Sequence, residues 1–369
     1  MSRAPGDSPA ADAPPETDSR SDTPDGSRHL RDRLERLPPG HPSSPYEADG
    51  SRRESAPRLR ELDADTDDDA DGDSISDDAW SALESDSPRP ADTSGPYTDA
   101  EWNDHREHVR IRLADANRHG LSTEVQYGVD EDGEAWLASR RALHGAIIDD
   151  IYAGASDVPC EYKAIVAGGM AGAGKTTVLE GHARIDRSQY LTINPDDIKE
   201  ELAKRSLVPT VEGLSPMEAS DLVHEESSHI AKQLAIRARA DGRNIIWDIT
   251  MSSSITTERR IDDLRGAGYT SVTGIFVDIP VDVSIARAEA RHRHDEDLFR
   301  AGEGLGGRYV PEEYITSRAN EEWGSKNRRT FEELKPRFDD WTIFDNGVDD
   351  RDPIRVETGP SDYYEETRS

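Results

Sequence analysis

A glycine-rich segment carries the clearest chemical signal in this sequence. It reads Gly169-Met-Ala-Gly-Ala-Gly174-Lys175-Thr176, which is glycine, four residues, then Gly-Lys-Thr, and a short apolar run at 163–167 precedes it. In such a loop, backbone N–H groups converge on phosphate oxygens, the lysine reaches the β and γ phosphates, and the threonine hydroxyl ligates Mg²⁺. The segment therefore predicts a site for ATP and Mg²⁺. The residues expected to hold the nucleotide are Gly169, Met170, Ala171, Gly172, Ala173, Gly174, Lys175, Thr176 and Thr177.

A carboxylate follows the next apolar run, in Leu191-Thr-Ile-Asn-Pro-Asp196-Asp197. The carboxyl ends of parallel strands face the nucleotide crevice, so Asp196 is placed to accept a proton from an acceptor hydroxyl, as a kinase requires. The Asn-Pro-Asp chemistry also suits a helix cap. We assign catalysis to Asp196 and the capping role to Asp197.

A second carboxylate, Asp248, ends the apolar run Asn244-Ile-Ile-Trp. Four largely apolar residues followed by aspartate are typical of a carboxylate that supports Mg²⁺, and we expect Asp248 and Thr176 to serve the metal. Thr250 lies two residues further on. It either hydrogen-bonds a substrate sugar or is a polar strand end.

Arginines near residue 300 form a third group. Arg287, Arg291 and Arg293 lie on one predicted helix, and Arg308 follows the glycine-rich segment 302–307. An arginine carried by a mobile lid stabilises the charge that spreads over the γ-phosphoryl oxygens in the transition state. We assign this role to Arg291 and Arg308, and interpret Arg287 and Arg293 as surface charges.

The histidines and the cysteine receive no catalytic role. His292, His294, Asp295 and Asp297 could be read as a metal cluster, but a solvated helix end is the simpler interpretation. Cys160 has no other cysteine to pair with, which fits a reducing compartment.

The order of predicted elements indicates how these residues come together. Apolar runs predict strands at 163–169, 189–193, 244–249, 271–278 and 341–344. Helical patterns lie between them at 175–182, 197–205, 216–240, 256–266, 281–293 and 311–335. Regular alternation of strands and helices favours an α/β fold: a parallel sheet of about five strands with helices on both faces, as in P-loop kinases.

Composition divides the chain into four parts. Residues 1–96 are rich in Pro, Ser, Asp and Gly and hold only Tyr46 and Trp80 of the 22 aromatic residues, so they predict a disordered acidic N-terminal arm. Helical patterns at 100–109, 111–116 and 135–152 predict a helical extension over 97–158. The kinase-type domain is expected at 159–348, and a polar tail at 349–369.

Charge and hydropathy exclude several classes of function. The chain has 45 basic and 77 acidic residues, a formal net charge of −32. Such an acidic surface repels nucleic-acid backbones and anionic membranes. The first ten residues lack the basic and apolar regions of a signal peptide, and no stretch approaches eighteen apolar residues. A soluble cytoplasmic protein is expected, with neither nucleic acid nor membrane as a partner.

Taken together, these motifs resemble the zeta toxin family, P-loop kinases of bacterial toxin–antitoxin systems that phosphorylate the sugar 3′-hydroxyl of UDP-N-acetylglucosamine. The resemblance covers about residues 160–345. It rests on the phosphate loop and on the segments Ile193-Asn-Pro-Asp196-Asp-Ile-Lys199, Asp248-Ile-Thr250, Arg291 and Arg308-Tyr-Val-Pro311.

The resemblance implies a role for each matching position. By this resemblance, Asp196 corresponds to the family's general base, and Lys175 and Thr176 correspond to its ligands of phosphate and Mg²⁺. Thr250 corresponds to a residue that contacts the substrate sugar. Arg291 and Arg308 are similar to the two phosphate-facing arginines. The family's substrate-binding glutamate has no direct counterpart, because Lys232 stands at the aligned position. Glu225 or Glu226, two helical turns earlier, is expected to replace it.

Several alternatives stay open. A switch GTPase is disfavoured because no Asn-Lys-x-Asp follows the later strands. The acceptor could instead be an antibiotic or a nucleoside, and a nucleotide-responsive partner-binding module without turnover is the non-enzymatic alternative. A toxin must also be restrained, either by an antitoxin protein or in cis. For inhibition in cis, the hypothesis is that the helices at 97–152 or the acidic arm cover the nucleotide-binding cleft.

Overall fold

The computed structural model describes residues 95–130 and 135–359 of the chain. Residues 1–94 of the predicted acidic arm and residues 360–369 of the predicted polar tail lie outside these ranges. Among the helices in the described ranges, none combines the length and the apolar composition needed to cross a membrane.

A six-stranded sheet forms the centre of the described chain, in the order β2-β3-β1-β4-β7-β8. The strands are β1 (Lys163–Gly168), β2 (Leu191–Ile193), β3 (Ile245–Asp248), β4 (Ser271–Asp278), β5 (Ala319–Asn320), β6 (Gly324–Ser325), β7 (Asp340–Asp345) and β8 (Ile354–Gly359). All pairs from β2 to β7 in this sheet are parallel, whereas β8 is antiparallel to β7. The five predicted strands and their parallel arrangement are confirmed, and their carboxyl ends meet at one edge.

The helices are α1 (Asp99–Arg118), α2 (Thr123–Tyr127), α3 (Ala138–Gly154), α4 (Lys175–Thr177), α5 (Pro195–Lys204), α6 (His224–Ala240), α7 (Ser254–Gly266), α8 (Val281–Arg300), α9 (Glu312–Thr316) and α10 (Lys326–Leu334). A π-helical turn, Val178–His182, continues α4, and a 3₁₀ helix, Glu218–Val223, leads directly into α6. Helices therefore occupy each of the segments predicted to be helical.

The apolar residues of β1 show how the sheet is buried. Ala164 and Val166 belong to one hydrophobic cluster, whereas Ile165 and Ala167 belong to another. Successive side chains of a strand point to opposite faces, so the two clusters are the cores on the two faces of the sheet. A parallel sheet covered on both faces reads as a continuous apolar run, which is why the sequence identified this strand.

Two sequence expectations need correction. Residues 349–369 are not simply a polar tail, because β8 pairs with β7 from Trp341↔Gly359 to Asp345↔Ile354. The helix predicted at 311–335 is interrupted by the β5–β6 hairpin. There the Asn320 side chain accepts hydrogen bonds from the N–H groups of Glu322 and Trp323, and Gly324 adopts a φ of 74°. This turn chemistry competes with the helix.

Helix α1 is attached through a buried carboxylate. His105 of α1 has Nε2 2.5 Å from Glu218 Oε1, and His292 of α8 has Nε2 3.0 Å from the same oxygen. We call these three residues the Glu218 cluster. His292 is 2% exposed, so its assignment to a solvated helix end is wrong. Aromatic rings enclose the cluster, with Trp102 edge-on to His292 at 4.7 Å between centroids.

Helix α3 is attached through a second buried carboxylate. Arg140 has Nε 2.5 Å from Glu226 Oε1 and Nη2 2.8 Å from Oε2, and His144 Nε2 lies 2.6 Å from Oε1. We call these three residues the Glu226 cluster. Both N-terminal helices thus dock on the short stretch from Glu218 to Glu226.

Candidate functional site

The phosphate loop, residues 169–176, joins β1 to α4 at the carboxyl edge of the sheet. Gly172 and Gly174 have φ values of 69° and 79°, which favour glycine. A Cβ at Gly174 would also lie 2.6 Å from Asn346 Nδ2. The structure brings all the predicted nucleotide-binding residues, Gly169 to Thr177, into this loop and the start of α4, with Met170 and Ala173 buried and Thr176 and Thr177 exposed.

Side chains from outside the loop fix its backbone. Ser284 Oγ donates to Ala171 O at 2.7 Å, and Asn346 Nδ2 donates to Ala173 O at 2.8 Å. Arg287 Nη1 donates to Gly172 O at 3.4 Å while its guanidinium pairs with Asp349 Oδ1 at 2.7 Å. Arg287 therefore supports the loop and is not merely the surface charge expected from the sequence.

Sequence analysis missed Asn346 and Ser284. A signal for Asn346 was present, because it lies two residues after the last predicted strand, as Asp196 lies three residues after the strand predicted at 189–193.

Lys175 and Asp248 face each other across the loop. Lys175 Nζ lies 3.1 Å from Gly169 O and 3.4 Å from Asp248 Oδ1. The Asp248 side chain is 9% exposed, and its Oδ2 accepts from Asn194 Nδ2 at 3.3 Å. Its Oδ1 is buried and has no hydrogen-bond partner among the described residues. A buried carboxylate oxygen next to a phosphate loop suits a cation.

Asp196 lies in the first turn of α5. Asn194 is the cap of this helix, because its Oδ1 accepts from the N–H of Asp196 at 2.9 Å. The capping role predicted for Asp197 is therefore wrong. Asp196 instead forms an ion pair with Arg308, and Lys199 Nζ lies 3.8 Å from Oδ1.

These cations control the ionisation of Asp196. Burial acts to raise its pKa, but the charges of Arg308, Lys199 and Lys175 together hold the pKa well below its usual range. Asp196 is thus a carboxylate at neutral pH. By contrast, burial and the neighbouring charges of Glu200 and Asp248 raise the pKa of Asp197 to about 6. The two adjacent aspartates differ in environment, and only Asp196 contacts the arginine.

Arg291 lies on α8 near this ion pair. Burial lowers its pKa, the charge of Arg308 lowers it further, and Asp196 acts in the opposite direction. Within the described ranges, Arg291 forms no hydrogen bond or ion pair. Two guanidiniums close together with one carboxylate leave positive charge for an anion such as a phosphoryl group. The predicted pair Arg291 and Arg308 is therefore brought together with Asp196.

Arg293, on the same helix, does not reach this site. It donates to Asp99 Oδ1 at 2.8 Å and so contacts the start of α1.

Thr250 lies where β3 meets the phosphate loop. Its carbonyl oxygen accepts from Gly169 N–H at 3.3 Å and from Asn327 Nδ2 at 2.9 Å. Its hydroxyl donates to Ser252 Oγ at 3.3 Å. The structure thus places Thr250 next to the phosphate loop.

The two glutamates considered for substrate binding have different environments. Glu226 is 0% exposed and both its oxygens are engaged by Arg140 and His144, so its predicted contact with substrate is wrong. Glu225 is half-buried in the first turn of α6. Next to it, burial and the charge of Lys199 lower the pKa of His224, while Glu225 and Asp196 act to raise it. The start of α6 is therefore close to Asp196.

A cavity of about 310 Å³ adjoins the phosphate loop. Its lining includes Thr177, His182, Arg287 and Asn346, together with residues 348–353. A volume of this order accommodates a small ligand group such as a nucleoside base.

The family model described as zeta toxin matches residues 158–351, more than half of the chain. A search of curated proteins finds no match. Among solved structures, the AvrRxo1-ORF1:ORF2 complex with ATP matches with 19% identity and a TM-score of 0.47, covering 64% of this chain and 76% of that one. The PezAT toxin–antitoxin system of Streptococcus pneumoniae matches with 17% identity and a TM-score of 0.43, covering 61% and 83%.

Proposed function

The chain belongs to the zeta toxin family, and on that premise we propose that it is an ATP-dependent kinase whose acceptor is a hydroxyl of UDP-N-acetylglucosamine. The observation that carries the proposal is the convergence on Asp196 of Arg308, Lys199 and the phosphate-loop lysine Lys175, whose charges all act on its carboxylate. A carboxylate for the acceptor and cations for the phosphoryl group thus lie beside one loop.

Each side chain has a defined task in this reaction. Lys175 contacts the β and γ phosphates, and Arg291 and Arg308 stabilise the charge on the transferring phosphoryl oxygens. Asp196 accepts a hydrogen bond from the acceptor hydroxyl and then its proton. Its lowered pKa makes it a weak base, which suits a loose transition state in which the hydroxyl loses its proton late.

The residues present also suit Mg²⁺. Thr176 lies in the first turn of α4, directly after the loop, and Asp248 offers a buried oxygen without a hydrogen-bond partner in the described chain. We propose that these two side chains hold the ion. When bound, Mg²⁺ neutralises charge on the phosphates.

Thr250 and Glu225 are proposed to contact the sugar, because Glu226 is internal and Lys232 occupies the position that aligns with the family's glutamate. Phosphorylation would deplete a cell-wall precursor, which would make the protein toxic in the cytoplasm, where ATP is available. A separate antitoxin is the proposed partner. The altered glutamate position favours a second candidate, a kinase for another small hydroxyl acceptor.

ATP consumption by the full chain tests the proposal. We expect ADP release that depends on UDP-N-acetylglucosamine and is lost in Asp196→Ala and Lys175→Ala. Asp197→Asn is the matched control, because it removes the adjacent charge and should retain most of the turnover. Turnover with a nucleoside or antibiotic but not with the sugar nucleotide would favour the second candidate. ATP binding without turnover on any acceptor would favour a partner-binding module.

A further inference from the structure

The Glu218 cluster is continuous with a second buried carboxylate, Glu296. Ser215 connects them: its N–H donates to Glu218 Oε2 at 2.9 Å, and its hydroxyl donates to Glu296 Oε1. The N–H of Glu218 in turn donates to Ser215 Oγ at 3.3 Å. Glu218 and Glu296 are at most 1% exposed and Ser215 is 0% exposed. His105 Nε2 and Glu218 Oε1 lie 2.5 Å apart, so helix α1 is hydrogen-bonded directly to the buried carboxylate at one end of this network.

Glu296 holds the glycine-rich segment that ends at Arg308. Gly307 N–H donates to Glu296 Oε1 at 3.0 Å, and Met217 N–H donates to Leu305 O at 3.1 Å. Gly306 has a φ of 91°, and a Cβ there would overlap the Ser215 side chain and Glu296 Oε1. The segment therefore lies directly against Ser215 and Glu296. Glycine-rich backbone has high conformational entropy, so a buried acceptor is needed to fix it.

Arg308 is the next residue, and it pairs with Asp196. The series of hydrogen bonds thus runs from His105 on α1, through Glu218, Ser215 and Glu296, to the residue before this arginine. An arginine that stabilises a transition state must be held to within about 0.5 Å. A hydrogen bond to the preceding amide restricts where the guanidinium can lie.

We propose that Glu296 is a positioning residue for Arg308, and that the network through Ser215 and Glu218 makes helix α1 part of the support of the phosphoryl-transfer site. This inference rests on the proposed kinase function, because it concerns the arginine assigned to the phosphoryl group. Helix α1 then supports catalysis by helping to hold Arg308 in position.

Glu296→Ala and Glu296→Gln test the proposal. Alanine removes the acceptor for Gly307 N–H, whereas the glutamine amide oxygen keeps it. We expect kcat to fall at least tenfold in Glu296→Ala, with an unchanged KM for ATP, and to return to within about threefold of the native value in Glu296→Gln. In the Arg308→Ala background, Glu296→Ala should lower kcat no further. Glu226→Ala is the matched control, because it also removes a buried carboxylate that anchors an N-terminal helix.

Hydrogen exchange over residues 302–308, measured on the full chain by mass spectrometry, reads out positioning without any acceptor. We expect faster exchange in Glu296→Ala and native exchange in Glu296→Gln and Glu226→Ala. Unchanged exchange in Glu296→Ala, an additive loss of kcat in the double variant, or an equal loss of kcat in folded Glu226→Ala would overturn the proposal. A native chain that transfers phosphate to no acceptor would refute the proposed function, and the exchange comparison would still decide whether Glu296 fixes the segment.

Discussion

The Glu218 and Glu226 clusters each attach one N-terminal helix to the rest of the protein, but they differ in the hydrogen bonds that lead away from them. In each cluster a buried glutamate, Glu218 or Glu226, is hydrogen-bonded to a histidine from one of the N-terminal helices. Among the described residues, the hydrogen bonds of the Glu226 cluster extend only to a backbone carbonyl, since Arg140 also donates to Leu207 O at 3.0 Å. The Glu218 cluster continues through Ser215 to Glu296 and the segment before Arg308. Burial and charge alone therefore do not tell which buried ionic cluster supports a reaction. The two clusters are distinguished instead by the hydrogen bonds that connect each of them to other residues.

The two clusters also differ in how charge is balanced. Burial acts to raise the pKa of Glu226, but His144 and the guanidinium of Arg140 outweigh it and lower the pKa. Burial likewise acts on Glu218, but its hydrogen bonds with His105 and His292 lower its pKa to about 2. Nearby, burial and the charge of Glu218 raise the pKa of Glu296 to about 7. The Glu226 cluster thus contains a guanidinium, whereas the Glu218 cluster contains a carboxylate and two imidazoles and lies next to Glu296.

The largest expected effect is at the active end of the Glu218 network. Arg308→Ala should lower kcat on the order of 10³-fold, because a transition-state arginine is worth that much in phosphoryl transfer. Its thermal stability should stay close to native, since the ion pair with Asp196 is partly exposed at 19% and 44% of the two side chains. Steady-state kinetics and a melting curve check both. A kcat within threefold of native would remove Arg308 from the mechanism.

The corresponding variant in the other cluster should show the opposite pattern. Arg140→Ala leaves Glu226 buried without its cation, which should cost about 3–5 kcal/mol of unfolding free energy. The kcat per folded molecule should be native, because no series of hydrogen bonds among the described residues connects this cluster to Arg308. Urea denaturation measures the unfolding free energy, and steady-state kinetics on the folded fraction measure kcat. The distinction between the clusters fails if Arg140→Ala lowers kcat as strongly as it lowers stability.

The sequence predicted the nucleotide side of the site better than the acceptor side, and the reason is the range of the interactions. The phosphate loop and the five parallel strands depend on local signals, namely glycine spacing and apolar runs. Strand β8 lacks such a signal, because it is almost entirely exposed and is defined by its pairing with β7. Asn346 has a local signal in its place after a predicted strand, but its role depends on the loop 173 residues earlier in the chain.

The two clusters were not predicted because sequence reasoning places charged side chains on the surface. His105 and Glu218 are 113 residues apart, and Arg140 and Glu226 are 86 residues apart. Neither partner carries a local sign of the other. The family resemblance instead made Glu226 a candidate substrate contact, and the polar sequence around His292 predicted a solvated helix end. A carboxylate within an otherwise apolar and small stretch, as in Met217-Glu-Ala-Ser, is the one available hint of burial.

The histidine pair gives a more graded comparison. His105→Ala and His144→Ala each remove one partner of a buried carboxylate, and each should lower the unfolding free energy by about 1–3 kcal/mol. Only His105→Ala should also lower kcat, by about tenfold or less, because it disturbs the network that reaches Arg308 from its far end. Matched denaturation curves and kinetics check this pair. Equal effects of the two variants on kcat would mean that helix docking as such affects the site.

The last expected effect is on the pH dependence of stability and not on kcat. The pKa of Glu296 is raised from an ordinary 4.5 to about 7, so the folded chain holds the proton more tightly than the unfolded chain between these values. Stability should therefore be highest below pH 4.5 with respect to this group and fall by up to about 1 kcal/mol per pH unit until pH 7. The groups that face Glu296 are Ser215, the Gly307 amide, Glu218 and His105.

Glu296→Gln should lack this fall, because its amide does not ionise. The pH dependence due to Glu226 has the opposite sign, because its pKa is lowered and its carboxylate stabilises the fold above the unfolded-state pKa. Its stabilisation is lost only as the pH falls below about 4.5. Glu226→Gln should therefore lose stability at neutral pH and lack the decrease of stability at acidic pH. Melting temperatures of the native chain and both variants from pH 3 to pH 8 measure the difference. A Glu296→Gln profile parallel to the native one would mean that Glu296 is ionised throughout, and that the Glu218 network is as fixed in charge as the Glu226 cluster.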